Sequence, residues 1–390
     1  MEDKNSQNLK IIIYGAGAVG RQVMSQYYSY IDELELLCFA VSDMTENQKH
    51  VLGIPVFKID DLVQYKNEAL VMISVSEKYQ QEVTEHVTEL GFKNVQYYTE
   101  QSKNYKLIDK LIGNDYKKTL TTWYFWVTGE ELNWNNLKTY NEKIQWLKLY
   151  DQLEKKKYLA DKYAVRDFIR DKIGEKYLIP ILGCWDKAEE INYTNLPKEF
   201  VLKCNHGSGW NIVVNDKTQL DYDNVTKQLN SWINSNYAYI SGFEMHYKNI
   251  KPKIIAEQML HTEDGEDLKD YKVFVFNGRA KIIQVDIDRC SNHRRNLYTR
   301  NWEYISEGIC YPMAPDIKIE KPDCLDELIE LSEVLGEGFR HVRVDFYIVD
   351  HQIYFGEMTF THGSGTEKFT SEEFALKMGS WIELPYGEGY

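Results

Sequence analysis

The chain reads as a doubly wound α/β domain followed by a larger α+β domain. Short β-branched runs alternate with helical patterns over roughly the first 100 residues, as parallel βαβ units do. Near the other end, two apolar runs meet at Asp350-His351, a hairpin turn that makes their pairing antiparallel. A length of 390 residues also exceeds what one hydrophobic core sustains, so at least two domains are expected.

The elements follow in order. An apolar strand from Lys10 to Tyr14 runs into GAGAVG, residues Gly15 to Gly20, and then a helical pattern. Strands are expected from Leu36 to Val41, Ala69 to Val75 and Asn94 to Tyr98, with a helix from Gln80 to Leu90 stopped by Gly91. Residues 101–155 lack proline, are rich in Trp and Lys, and read as a packed helical connector. Beyond it, strands are expected at Phe200 to Cys204, Ile254 to Gln258, Lys272 to Phe276, Lys281 to Asp286, His341 to Val349 and Gln352 to Met358. The expected domains are therefore 1–100, 101–155 and 156–390.

Composition narrows the function. A net charge of −14 with no dense Lys/Arg run disfavours nucleic acid and anionic membranes as partners. The six cysteines are dispersed with no Cys-x-x-Cys pair, which disfavours a zinc site or a disulfide framework. The opening MEDKNSQNLK has no apolar core, and no apolar run reaches the length of a membrane span. A soluble cytoplasmic protein is expected.

Gly15, Gly17 and Gly20 form GxGxxG between a strand and a helix, where glycine permits a tight turn and a phosphate can meet the helix N-terminus. Asp43 is the nearest counterpart to the acid this motif usually carries downstream, and tight-turn glycines without a ligand remain the alternative. With LGIPVF, Leu52 to Phe57, residues 9 to 98 resemble the nucleotide-sugar-binding domain of PglD-type sugar acetyltransferases. A Rossmann-like nucleotide-sugar or dinucleotide pocket is implied. No Tyr-x-x-x-Lys follows, which counts against a dehydrogenase or epimerase.

A second constellation lies beyond residue 150. Strand alternation puts Arg343, Asp345 and Tyr347 on one face of a strand, and Glu357 with Thr359 on one face of its partner. Paired carboxylates on rigid strands suit Mg²⁺ carrying phosphates; a salt-bridge network neutralised by Arg343 is the alternative. Lys203 ends an apolar strand immediately before the loop His206-Gly207-Ser208-Gly209-Trp210, where a cation beside freed amides can hold phosphate. A snorkelling lysine before a turn is the plainer reading. Glu257 interrupts an apolar strand and could accept from an adenine amino group, and Lys272 adds a further cation. Asp288, Arg289, His293, Arg294 and Arg295 form an Arg/His-rich turn that suits an anionic substrate or is simply solvated.

The order of these groups, with NLKTYNEKIQWLKLYD, LADKYAVRDFI, FVLKCNHGSGWN, DYKVFVFNG and GEMTFTHGSG, resembles the TupA-like branch of the ATP-grasp superfamily over residues 120 to 380. That branch is associated with teichuronopeptide and surface-polysaccharide biosynthesis. The resemblance implies Lys162 and Lys203 as nucleotide-contacting lysines, Glu257 at adenine, Lys272 on the triphosphate, and Asp345 and Glu357 as metal ligands. His362 and the loop Gly363-Ser364-Gly365 fall where similar enzymes position the acyl or phosphoryl group. ATP and Mg²⁺ are the implied cofactors. Lys272 and Arg343 are expected to act catalytically, and Arg289, Arg294 and His362 to contact substrate. The family commonly carries Asn two residues after its metal Glu, where this chain has Thr359.

The expected activity is amide formation between a carboxylate, such as a uronic or nucleotide-linked sugar acid, and an amine. Two rivals are a glycosyltransferase built on Asp286-Ile-Asp288, and an inactive nucleotide-sugar-binding scaffold. Cys204 reads as a packing thiol.

Overall fold

The computed structural model describes residues 9–17, 20, 23, 34–45, 47–51, 53–97, 116–240, 242–262, 268–287 and 292–385. The chain forms two compact units, Met1–Leu132 and Asn133–Tyr390.

In the first unit, β1 (Leu9–Tyr14), β2 (Leu34–Val41), β3 (His50–Val51), β4 (Ile54–Lys58), β5 (Ala69–Ile73) and β6 (Asn94–Tyr97) form one sheet of order β3-β4-β2-β1-β5-β6. All its pairings are parallel except the short hairpin of β3 with β4. Alternation splits the apolar residues between two cores. Ile11, Ile13, Phe39 and Met72 share one, and Ile12, Cys38, Ala40, Val71 and Phe92 share the other. Apolar packing on both faces is why these strands read as continuous apolar runs. Helix α1 (Glu77–Glu89) ends before Gly91, whose φ of 90° closes it. Helix α2 (Tyr116–Thr128) completes the described part of this unit.

The glycine loop leaves β1 between β2 and β5, where strand order reverses and parallel sheets open their ligand crevices. Gly15 has φ 115°, and a Cβ there would lie 2.8 Å from the Ser74 carbonyl oxygen. A Cβ on Gly20 would lie 1.8 Å from the Gly15 oxygen, whereas Gly17 faces open space. Two of the three glycines are thus explained by packing alone. Asp43 accepts from the Thr45 N–H at 3.0 Å and the Thr45 hydroxyl at 2.7 Å, closing its own turn.

The second unit opens with α3 (Tyr140–Tyr150), α4 (Leu153–Ala160) and α5 (Val165–Lys172). A capping box starts α3: the Glu142 N–H donates to the Thr139 hydroxyl, and the Thr139 N–H donates to the Glu142 carboxylate at 2.7 Å. The segment 101–155 is thus shared, with α2 in the first unit and α3 in the second.

Two antiparallel sheets follow. The smaller contains β7 (Ile181–Trp185), β8 (Phe200–Cys204), β9 (Asn211–Val214) and β10 (Ile254–Gln258), in the order β7-β10-β8-β9. Its core joins Phe200, Leu202, Cys204, Ile254 and Ala256 to Val225 and Leu229 of α6 (Tyr222–Ile233). The larger contains β11 (Asp270–Phe276), β12 (Arg279–Ile287), β13 (Arg294–Thr299), β14 (Tyr304–Ile305), β15 (His341–Val349) and β16 (Gln352–Thr359), in the order β14-β13-β12-β11-β15-β16. Helix α7 (Leu325–Leu335) packs on β11 and β12, and α8 (Glu372–Ser380) packs on α3.

Asp350 and His351 turn β15 into β16 with φ of 48° and 65°, both left-handed as a two-residue hairpin requires. Strands β3, β4, β7, β9, β13 and β14 are additional to the sequence expectation. They are short or polar, and Arg294–Thr299 reads as a turn until its pairing with β12 is seen.

Candidate functional site

The hairpin β15–β16 sets the centre of the site. Asp345 and Glu357 are Cα partners across it, as are Arg343 and Thr359. The register slips immediately after Asp345, leaving Gly356 as the extra residue of a bulge. A Cβ on Gly356 would sit 3.0 Å from the Asp345 carbonyl oxygen, so a side chain there would crowd the bulge.

Arg343 grips Asp345 with two parallel bonds, Nε–Oδ1 at 2.7 Å and Nη2–Oδ2 at 2.6 Å, and reaches Glu357 at 3.8 Å. Thr359 accepts from Arg343 at 3.2 Å and donates to Glu357 Oε1 at 3.3 Å. Its hydroxyl therefore orients the carboxylate here. Burial pushes Glu357 up, but Lys162 and Arg343 outweigh it and hold the group at about 2. Burial raises Asp345 to about 6 against the pull of Arg343 and Lys272.

Lys162 spans the two sheets. Its Nζ donates to the Gly207 carbonyl oxygen at 2.7 Å and lies 3.1 Å from Glu357 Oε2. Asp161 fixes it from below: Oδ1 accepts from the N–H groups of Tyr163 and Ala164 and from the Asn205 amide, while the Lys162 N–H donates to the Asn205 carbonyl. The glycine loop carrying Gly207, Ser208 and Gly209 closes the β8–β9 hairpin, with Gly209 at φ 73°.

Lys203 lies 2.5 Å from Glu257 on the neighbouring strand, and Arg166 reaches the same carboxylate at 3.7 Å. Lys272 pairs closely with Asp270 and lies 3.5 Å from Asp286 and 3.7 Å from Asp345. Cys204 is buried, which pushes its thiol up to about 12 and leaves it a packing residue.

A cavity of about 410 Å³ collects Lys162, Lys203, Ser208, Gly209, Lys272, Arg343, Asp345, Glu357 and His362. Gly207 and Glu257 stand behind that lining as partners of Lys162 and Lys203. Arg294 is elsewhere, its guanidinium 3.9 Å from Asp316. Strand alternation turns the next residue inward instead: Arg295 lines the cavity and meets Asp286 at 2.7 Å and Glu367 at 3.4 Å. Asp288 and Arg289 lie outside the described residues. Asp286, read in one rival as half of a metal motif, is bound by Arg295.

His362 follows β16 in a turn whose Gly363, Ser364 and Gly365 all have positive φ. The Gln145 amide of α3 donates to the carbonyls of Ser364 at 3.2 Å and Gly365 at 2.8 Å, pinning that turn. His362 Nε2 lies 3.2 Å from Glu367, and burial lowers the imidazole well below its usual range.

Each of these cations already faces a carboxylate, so the site is charge-compensated before any ligand arrives. Lys162, Lys203 and Glu357 have side chains 16%, 17% and 27% exposed, against 5–8% for Asp345, Lys272 and Arg343. The more exposed set can turn to an incoming ligand while the buried set stays fixed. Among the described residues no three His, Cys, Asp or Glu side chains cluster as a metal cage. Two facing carboxylates fit Mg²⁺, which usually takes one or two protein oxygens and completes its shell with phosphate and water.

Residues 6–101 match the profile of the CoA binding domain, and residues 142–383 match that of the TupA-like ATP-grasp family. A search of the curated proteins finds no match. Among solved structures, D-alanine–D-alanine ligase from Bacillus anthracis aligns at 14% identity over 96% of each chain, with a TM-score of 0.34. The corresponding ligase from Helicobacter pylori aligns at 11% identity over 97% of this chain and 99% of its own, at 0.35. The ATP-grasp ligase PsnB with minimal precursor, Mg and ADP aligns at 9% identity over 92% and 90%, at 0.31. These superpositions are too weak to identify the chain, whereas the second profile spans well over half of it. The chain belongs to the TupA-like ATP-grasp family.

Proposed function

We propose that this protein is an ADP-forming ligase that uses ATP and Mg²⁺ to join a carboxylate to an amine through an acyl phosphate. One observation carries the reading: Lys162, Lys203, Lys272 and Arg343 share a cavity with the facing acids Asp345 and Glu357. A triphosphate needs such a cluster of cations, and a chain with net charge −14 has no use for one on a general surface.

A free carboxylate resists amines because an anion is a poor electrophile. Transfer of the γ-phosphoryl group to a carboxylate oxygen gives an acyl phosphate and ADP. The amine nitrogen then bonds to the acyl carbon, the carbon–oxygen bond breaks, and phosphate leaves with the electron pair. Of three ammonium protons, one stays on the amide, one ends on phosphate and one is released.

In this reading Asp345 and Glu357 would hold the metal, which would supply positive charge to the phosphates. Lys162 and Lys203 exchange their carboxylates for phosphate, and the glycine loop lies over it. Lys272 and Arg343, fixed by buried acids, hold positive charge where the transferred group passes. Glu257 faces the adenine edge. Arg295 and His362 line the end where a substrate carboxylate enters.

The acid is proposed to be a sugar acid, free or nucleotide-linked, in cytoplasmic steps of surface-polysaccharide formation. The family match and the Rossmann-like front unit support this reading. Among the described residues no helix is long and apolar enough to cross a membrane. Purified protein given ATP, Mg²⁺ and pooled uronic acids and amines is expected to release ADP only when both pools are present. ADP release indifferent to acid and amine, or nucleoside diphosphate released from a sugar donor, would overturn the proposal.

A further inference from the structure

One wall of the cavity is unlike the rest. Trp210, Tyr237 and Tyr247 line it beside Glu244, away from any function assigned above. Trp210 meets Tyr237 edge-on at 5.3 Å and 88°, and Tyr237 meets Tyr247 at 4.9 Å and 67°. The glycine loop packs flush on this wall, since a Cβ on Gly207 would come within 2.6 Å of Trp210 and 2.9 Å of Tyr237.

Glu244 is buried, with 6% of its surface exposed, and accepts from the hydroxyl of Thr361, which also lines the cavity. Lys148 feels the charge of that carboxylate, which favours its ammonium form against burial. It lies outside the cavity lining, and its Nζ donates to Gln145 at 2.9 Å and to the Gly242 carbonyl at 2.7 Å.

Elsewhere the cavity is lined by Lys162, Lys203, Lys272, Arg295 and Arg343, which suit phosphate and carboxylate. A carboxylate among aromatic faces suits the opposite charge, because ring faces attract cations most strongly when water is excluded. We propose that Trp210, Tyr237, Tyr247 and Glu244 form the subsite for the amine, which enters as a small primary ammonium. The inference rests on the ligase reading and adds the chemistry of its second substrate.

The test uses the whole chain loaded with Mg²⁺ and a non-hydrolysable ATP analogue at pH 7. Ethanolamine and its uncharged counterpart ethylene glycol are titrated, and binding is read from tryptophan fluorescence and calorimetry. Ethanolamine should bind saturably and at least about tenfold more tightly than ethylene glycol. Glu244→Gln should weaken it at least about tenfold, and Tyr237→Leu about fivefold, each with analogue affinity retained. The tyrosine variant keeps the proposal testable if the buried glutamine prevents folding. Absence of saturable ethanolamine binding, equal binding of the two probes, or variants that bind like the wild type would overturn the amine subsite. Failure of the wild type to bind the nucleotide analogue would instead count against the ligase reading.

Discussion

Asp345 and Glu357 face each other across the β15–β16 hairpin, at the point where the Gly356 bulge breaks its register. As direct cross-strand partners the two acids share one side of the sheet, with Arg343 bound to one and Lys162 to the other. Replacing Glu357 by Gln keeps the shape and removes the charge proposed to hold Mg²⁺. ADP release should fall about 10²–10³-fold while the folded state persists. Turnover within threefold of wild type would remove Glu357 from the site.

Lys203 and Arg343 separate binding from stability. Arg343 is buried in a two-point pair with Asp345, so Arg343→Met strands a carboxylate in the core and should cost about 3–5 kcal/mol. Lys203 is more exposed, and its partner Glu257 retains Arg166 at 3.7 Å. Lys203→Met should cost no more than about 1 kcal/mol, yet weaken Mg·ATP at least tenfold. Urea unfolding and nucleotide titration of both variants check this, and the reverse pattern would contradict it.

Legibility followed periodicity. Lys203, Lys272, Asp345 and Glu357 stand in largely apolar strands, where a charge is conspicuous and alternation fixes its face. Arg295 was not separable from Arg294 because the strand pairing that decides between them joins residues across a turn. Glu244 and Tyr247 sit on a single helical turn with no repeat to betray a facing direction. The carboxylates that compensate the cations, Asp270, Asp286 and Glu367, come from separate elements and meet only in the folded sheet. Two glycines of GxGxxG answer packing demands, so that motif reports a tight turn before it reports a ligand.

Four buried histidines make stability sensitive to acid. Burial lowers His206 to about 4 and His341 to about 3, and lowers His246 and His362 well below the usual range. A depressed imidazole is neutral when folded but protonates near pH 6.5 when unfolded. Its contribution is therefore whole above pH 6.5 and declines by about 1.4 kcal/mol per pH unit below it, down to the folded value. Asp345 and Glu367, raised by burial, act in the opposite sense but are fewer. Urea midpoints should drop between pH 7 and pH 5, and less steeply in His341→Gln. A flat profile would contradict the neutral burial of these rings.

Gly365 has φ 61°, and a Cβ there would meet the Gln145 amide at 2.5 Å and Ile144 at 2.8 Å. Gly365→Ala should destabilise the protein by about 1–3 kcal/mol and displace the turn that carries His362. Thermal unfolding and ADP release should both register the change. An unshifted midpoint would mean that α3 does not hold this turn.

The most direct test of carboxylate activation is the fate of a carboxylate oxygen. Uronic acids labelled with ¹⁸O in the carboxylate are turned over with ATP, Mg²⁺ and an amine pool, and the released phosphate is weighed by mass spectrometry. The predicted result is one ¹⁸O in each phosphate, with ADP as the other product. Unlabelled phosphate, or AMP with pyrophosphate, would contradict the acyl-phosphate route.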